Sequence, residues 1–419
     1  MTPEPLSLGA RLAVLAAAFA GLLFDGVELG LMPVASLSVS KSLLGAEYTD
    51  ALAGRWFAGF TAALMLGAAA GGLFFGSLGD RIGRTRSLGI SILFYSVFAG
   101  LGSFVTSQEQ MLALRFLVGL GVGGVWPNGV VLVSECWPGA SRPLVAGVMG
   151  AGINAGVLAL SQLVRGFEIG PDSWRWVFRL AAAPAVLGVA VLAFLPESPR
   201  WLAARRGAGP APPPKAPLRD LFRPGLRRPT LMGIVLASVP LVGAWAASKW
   251  MIPWADKVGG ATEAGYKAVT QGWWALGAVL GSFFGAQIAA WLGRRRAYGL
   301  ISASATALTL ALFRGTAPLQ ASFLPIVFAQ GFVATLFFGW LPLYLPELFP
   351  TRVRAAGSGI AYNVGRFATA VGVFFAGVLF AAVGGSYSRV GSLCGLIYAL
   401  GLIVIWWAPD TSTKKLDQL

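Results

Sequence analysis

Twelve apolar stretches constrain this chain more than any other feature. They fall at about 11–36, 54–78, 87–106, 109–134, 143–165, 175–195, 229–254, 267–291, 297–314, 320–345, 357–382 and 388–408. A helix crosses a bilayer with roughly 20 apolar residues. In lipid every backbone N–H and C=O must be bonded internally, which a helix does within its own segment. The pattern predicts an all-α membrane protein of twelve transmembrane helices. At 56% hydrophobic and 12% charged residues over 419 positions, a water-soluble globule is excluded. The N-terminus lacks the charged region, short apolar core and small-residue cleavage site of a signal peptide, so the first stretch reads as a retained span.

The chain repeats itself at half its length. Glu135, Pro138 and Arg142 form an E-x-x-P-x-x-x-R frame that returns as Glu347, Pro350 and Arg354. Gly119 answers to Gly331, Gly147 to Gly359, and Pro196-Glu197 to Pro409-Asp410. A duplication of six helices follows. The boundaries predicted are 1–202 for the first six-helix bundle, 203–228 for a connection containing the Pro-rich PAPPPKAP, and 229–419 for the second bundle.

The net charge of +15 does not point to nucleic acid once it is placed on this topology. Twenty of the 32 Lys and Arg fall in loops on the side of the two termini, against twelve in the spans and on the other side together. That is the positive-inside asymmetry, and it predicts a multi-pass protein of the cell membrane with both termini cytoplasmic. The two cysteines imply neither a disulfide framework nor a metal site, and no cofactor is expected. With no histidine, proton chemistry falls to carboxylates. Partners expected are the lipid bilayer, protons and a small-molecule substrate, with the chain acting as a monomer.

Ionisable residues inside spans are functional candidates, because their desolvation must be compensated. Asp25 and Glu28 lie on one face of the first span, at i and i+3. At about 1.5 Å per residue, Asp25 stands roughly 21 Å above the cytoplasmic face. Arg115 in the fourth span stands roughly 9 Å below the outer face, which is the same level in a core of about 30 Å. An Asp25–Arg115 pair is therefore allowed, with Glu28 as relay or hydrated rim residue. A static pair holding two helices together is the structural alternative. Arg366, in the eleventh span at roughly 14 Å depth, has no recognisable acid in the second-half spans. A guanidinium at midplane suits a carboxylate, unless it pairs with Asp25, Glu28 or backbone carbonyls. The seventh span holds Trp245 and Lys249.

Several of these segments carry a resemblance. GSLGDRIGRTR (76–86) resembles the loop signature between the second and third helices of the major facilitator superfamily, although Ala290 stands where Asp80 would recur. PESPRWL resembles the mark of the sugar-porter branch, with PDTSTKK as a worn counterpart. DGVE, RFLVGLGVGGVWPN and ELFPTRVRAAGSGIAYNVGR are similar to proton-coupled organic-acid symporters. The resemblance implies two bundles around a central cavity, alternating access, and the same Asp25–Arg115 pairing for proton coupling, with Glu28 the adjoining coupling candidate by position.

On that frame the candidate substrate-binding residues are Arg366, Asn363, Tyr362, Gln330, Gln271, Trp245, Trp274, Asn128, Asn154 and Gln162. Most Trp and Gln in such helices serve packing, so these are candidates by position alone. A cytoplasmic gate is expected from Asp80 with Arg84, Glu135 with Arg142, Glu197 with Arg200, and Glu347 with Arg352 and Arg354. The leading expectation is a proton-coupled symporter of a small organic anion. A proton-coupled sugar or polyol porter and a proton-driven efflux protein remain open. An enzyme is not expected: the sequence has no nucleophile elbow, phosphate loop or Cys/His cluster.

Overall fold

A computed structural model describes residues 6–137, 142–205, 218–350 and 353–412. Within them every regular element is helical. Twelve segments are long and apolar enough to span a membrane. In chain order they are α1 Leu8–Glu47, α2 Asp50–Ile82, α3 Arg84–Phe104, α4 Gln108–Cys136, α5 Leu144–Gly166, α6 Arg175–Phe194, α7 Arg227–Gly259, α8 Tyr266–Leu292, α9 Arg294–Gly315, α10 Phe323–Glu347, α11 Ala356–Ala382 and α12 Tyr387–Trp407. An even number of crossings returns the chain to the face where α1 begins, called the terminal face below. The Pro-rich part of the predicted connection, 206–217, lies outside the described residues, as do Pro138 and Arg352 and the side chain of Arg142.

The sequence repeat is a repeat of helix packing. Without a hydrophobic drive between helices in lipid, close approach of backbones through small residues holds the bundle together. Gly119 of α4 sits so close to α2 that a Cβ there would lie 2.2 Å from the Leu64 carbonyl oxygen. Its counterpart Gly331 of α10 stands equally close to α8, 2.2 Å from the Trp274 carbonyl oxygen. The same device sets α1 against α5, where Cβ atoms on Gly26 and Gly156 would strike the carbonyls of Ile153 and Leu23 at 1.8 and 1.7 Å. That contact fixes the height of Asp25.

The two halves meet along α5 with α8 and α2 with α11. Asn154 donates to Ser282 Oγ at 2.8 Å, and Arg366 Nη1 to the Ala68 carbonyl at 3.2 Å. At the far face further bonds cross between halves: Lys257 to Asp50 at 2.7 Å, and Lys267 Nζ to the Ile169 carbonyl at 3.0 Å. Beneath them lies an aromatic layer. The Phe57 ring meets Trp250 edge-on at 5.2 Å, and Trp250 stacks on Phe380 at 4.9 Å. This layer and the ion pair above it close the far face.

One span is not a regular helix. α7 runs as an α-helix to Val242, makes a π turn over Gly243–Ala247 and a 3-10 turn over Ser248–Trp250, then resumes at Met251. Gly243 lies against the Tyr398 ring, 2.3 Å from where its Cβ would be, so no larger residue fits. Irregular backbone at membrane depth is tolerated where it is buried in protein or lines a cavity, and this break lines one.

Candidate functional site

A cavity of about 450 Å³ lies between the halves. It runs from Asp25 and Lys249 past Trp126 and Tyr362 toward Val131, Leu345 and Pro346, near the terminal-face ends of α4 and α10. With the far face closed, the cavity opens toward the terminal face. Its size is that of a small-molecule pocket, and its wall is mostly apolar with a few polar groups.

The two carboxylates of α1 have different surroundings. Arg115 donates from Nη1 to Glu28 Oε2 at 2.8 Å and from Nη2 to the Glu28 carbonyl at 3.0 Å, with both side chains 1% exposed. The predicted Asp25–Arg115 pair is therefore corrected: Arg115 is held by Glu28. Depth arithmetic resolves a level only to about one helical turn, and Asp25 and Glu28 are one turn apart on one face. Asp25 instead lines the cavity, and its buried Oδ1 has no hydrogen-bond partner among the described residues. Arg366 lines the same cavity and lies within electrostatic reach of Asp25. Its guanidinium stands 5.0 Å from the Tyr362 ring centroid, a cation–π contact.

Of the other candidates, Tyr362, Asn363, Asn154, Trp245 and Trp274 line the cavity. Four do not. Asn128 donates to the carbonyls of Phe75 and Gly124 and to Ser87 Oγ, tying α4 to α2 and α3. Gln330 stands behind Trp274, accepting its indole N–H at 2.8 Å and donating to Ser248 Oγ at 2.5 Å. Gln271 is fully buried against Gly30 of α1. Gln162 lines a separate small cavity with Arg165 and Trp273. Polar residues of one span point to different sides, and sequence position alone does not say which side faces the cavity.

Lys249 belongs to the cavity and is absent from the predicted binding residues. It is 3% exposed, and its Nζ sits 3.3 Å from the centre of the Trp274 ring and 5.6 Å from that of Trp245. The sequence signal was a cation late in an apolar span with no acid in reach.

The terminal-face bonds at the turns after α2 and α8 stay within each half. Asp80, in the last turn of α2, pairs with Arg84 at 2.5 Å across Gly83, whose φ of +113° suits glycine alone. Glu197 does not pair with Arg200. It caps α3, accepting from the backbone N–H groups of Arg84 and Thr85 at 2.9 and 3.0 Å. The second half does the same work with other atoms. Ser412 Oγ caps α9 through Arg294 N at 2.9 Å and itself donates to Asp410 at 2.7 Å. That hydroxyl holds the Asp410 carboxyl below its ordinary value. Glu135 accepts from Ser198, and its counterpart Glu347 accepts from Thr411 at 2.5 Å. With Ala290 in the place of Asp80, Arg294 turns to Glu347 in a two-pronged bond of 2.7 and 3.0 Å. Glu347 is thus bound by Arg294, and Arg354, expected beside it, donates to the Phe349 carbonyl at 3.2 Å; the expected Glu347–Arg352 contact lies outside the described residues. The Glu135–Arg142 pair falls outside the described residues.

The family model described as "Sugar (and other) transporter" matches residues 13–212 and again 207–419. The chain is 30% identical over 415 residues to the cis,cis-muconate transport protein of Acinetobacter baylyi, covering 94% of this chain and 95% of that one. It is 27% identical over 409 residues to the gentisate transporter of Corynebacterium glutamicum, covering 95% and 88%. Its fold is similar to the inward open conformation of the xylose transporter XylE from E. coli. That match has a TM-score of 0.74, 18% identity, and coverage of 98% of this chain and 99% of that one.

Proposed function

The chain belongs to the sugar (and other) transporter family, and on that premise we propose that it is a proton-coupled symporter of a small organic anion. The observation that carries this reading is the division of labour between the two α1 carboxylates. Glu28 is committed to Arg115, whereas Asp25 faces the cavity that Arg366 also lines. Asp25 and a substrate carboxylate then compete for one guanidinium. With Asp25 ionised, it balances Arg366 and the cavity is empty of anion. With Asp25 protonated, Arg366 is released and binds the substrate carboxylate. Both states are balanced around Arg366, so both can close and cross, while the half-loaded states carry a desolvated charge that opposes closure.

Alternating access follows from the far-face contacts. The Lys257–Asp50 pair, the Lys267–Ile169 bond and the Trp250 stack are made in the state open to the terminal face and must break for the far face to open. The excess of Lys and Arg on the terminal side supports a cell-membrane orientation in which that face is cytoplasmic. The names of the curated relatives, muconate and gentisate, support an organic acid rather than a sugar as substrate. The solved xylose transporter shares the fold and does not bear on the substrate.

Purified protein in liposomes tests the reading. A panel of carboxylates and sugars is offered with and without an inward proton gradient. An organic acid should accumulate above its equilibrium level when the gradient is present and only equilibrate when it is absent. Accumulation of sugars alone, or of acids to the same level with and without the gradient, would refute it.

A further inference from the structure

The competition between Asp25 and substrate leaves one cation of the cavity without a role. Among the described lining residues the formal charges are Asp25, Lys249 and Arg366. Arg366 is balanced in turn by Asp25 and by the substrate carboxylate. Lys249 is balanced by neither: no ion pair or hydrogen bond is made by its ammonium among the described residues, and Glu28 is taken by Arg115. The ammonium of a residue only 3% exposed needs compensation, and the Trp274 and Trp245 rings supply part of it through their negative faces. They leave its hydrogens free toward the cavity, because an indole face does not accept strong hydrogen bonds as a carboxylate does.

The ammonium is also held in place. Trp274 is fixed from behind by its N–H bond to Gln330, which Ser248 anchors in turn, and Ser248 is the neighbour of Lys249 in the 3-10 turn. The break in α7 therefore presents Lys249 on a rigid aromatic platform at the wall of the transport cavity. Such a supported cation is built to receive an anion.

We propose that Lys249, backed by Trp274 and Trp245, is a second anion subsite, and that the preferred substrate is a dicarboxylate bridging Lys249 and Arg366. The inference rests on the organic-anion reading and narrows it. With Asp25 protonated, the lining carries two positive charges and no negative one, which a dianion neutralises and a monoanion leaves half compensated. The body of such a substrate would lie among Trp126, Tyr362 and Trp245, so an unsaturated or aromatic spacer between its carboxylates fits best.

Matched acids differing only in the second carboxylate test this on the full-length protein in detergent. The pairs are sorbate with trans,trans-muconate and benzoate with terephthalate, titrated calorimetrically. In the wild-type protein at least one diacid should bind about 10-fold or more tightly than its monoacid partner. In Lys249→Met that ratio should fall to near one, and in Lys249→Arg most of it should return, with thermal unfolding confirming that each variant is folded. Should Lys249→Met not fold, the wild-type ratio and Lys249→Arg decide between them. Monoacids that bind as tightly as their diacids, or a preference that survives Lys249→Met, would overturn the second subsite while leaving the anion reading intact. Failure of every acid to bind would overturn both.

Discussion

Asp25→Asn is expected to abolish proton-driven accumulation while leaving exchange of substrate across the membrane in place. Asparagine keeps the shape of the side chain and can neither lose nor gain the proton. Arg366 is then permanently free of its internal competitor, so substrate binding should be retained. For one proton per substrate and no membrane potential, each pH unit of gradient sustains about a tenfold concentration ratio. That ratio should fall to one in the variant. Uptake into liposomes under an imposed gradient, beside counterflow of labelled substrate, separates the two properties. Undiminished accumulation by Asp25→Asn would remove Asp25 from coupling and turn attention to Glu28.

The second large effect is expected at Arg366. Its guanidinium is tied only lightly to protein, by one bond to the Ala68 carbonyl and the Tyr362 ring, and it faces the cavity. Arg366→Lys keeps the charge and loses the planar fork, and should weaken carboxylate binding clearly. Arg366→Gln should weaken it further, by up to about 2–5 kcal/mol when the ion pair is desolvated. A neutral sugar would show no such graded loss. Titration of folded variants, checked by thermal unfolding, measures it. Wild-type affinity in both variants would make Arg366 structural and restore the sugar reading.

Much of the fold was legible in the sequence because the bilayer imposes one dominant constraint. Each apolar stretch became one span, with ends set farther out where polar residues continue the helix, as in Asp50–Ile82 against the expected 54–78. The half-length repeat was legible as well, and Gly119 and Gly331 proved to be equivalent contacts. The break in α7 was not legible, since it depends on the Tyr398 ring pressing on Gly243 from a helix some 155 residues away in the chain. The loss of the acid at Ala290 could be read, but that Arg294 would take Glu347 instead is a matter of three-dimensional reach.

The candidate site was legible as a set of levels and not as a set of directions. Depth placed Asp25, Glu28, Arg115 and Arg366 in the membrane interior. It could not say that Glu28 turns to Arg115 while Asp25 turns to the cavity, because residues three apart share a face. The same limit applied to Asn128, Gln271 and Gln330, candidates for substrate contact that are bonded or packed away from the cavity. Lys249 was missed for a different reason: its place at the cavity wall depends on the π and 3-10 turns of α7 and on the Trp274 and Trp245 rings that hold it there, none of which follows from its position in the span.

Proton movement driven by substrate alone reports the coupling itself. Liposomes containing the protein and a lumenal pH indicator are given an acid from the uptake panel with no pH gradient imposed, and protein-free liposomes set the baseline. The lumen is expected to acidify in step with substrate entry in wild-type protein, and not to acidify when Asp25→Asn replaces it. Substrate entry through the wild-type protein with the lumenal pH unchanged would contradict proton-coupled symport.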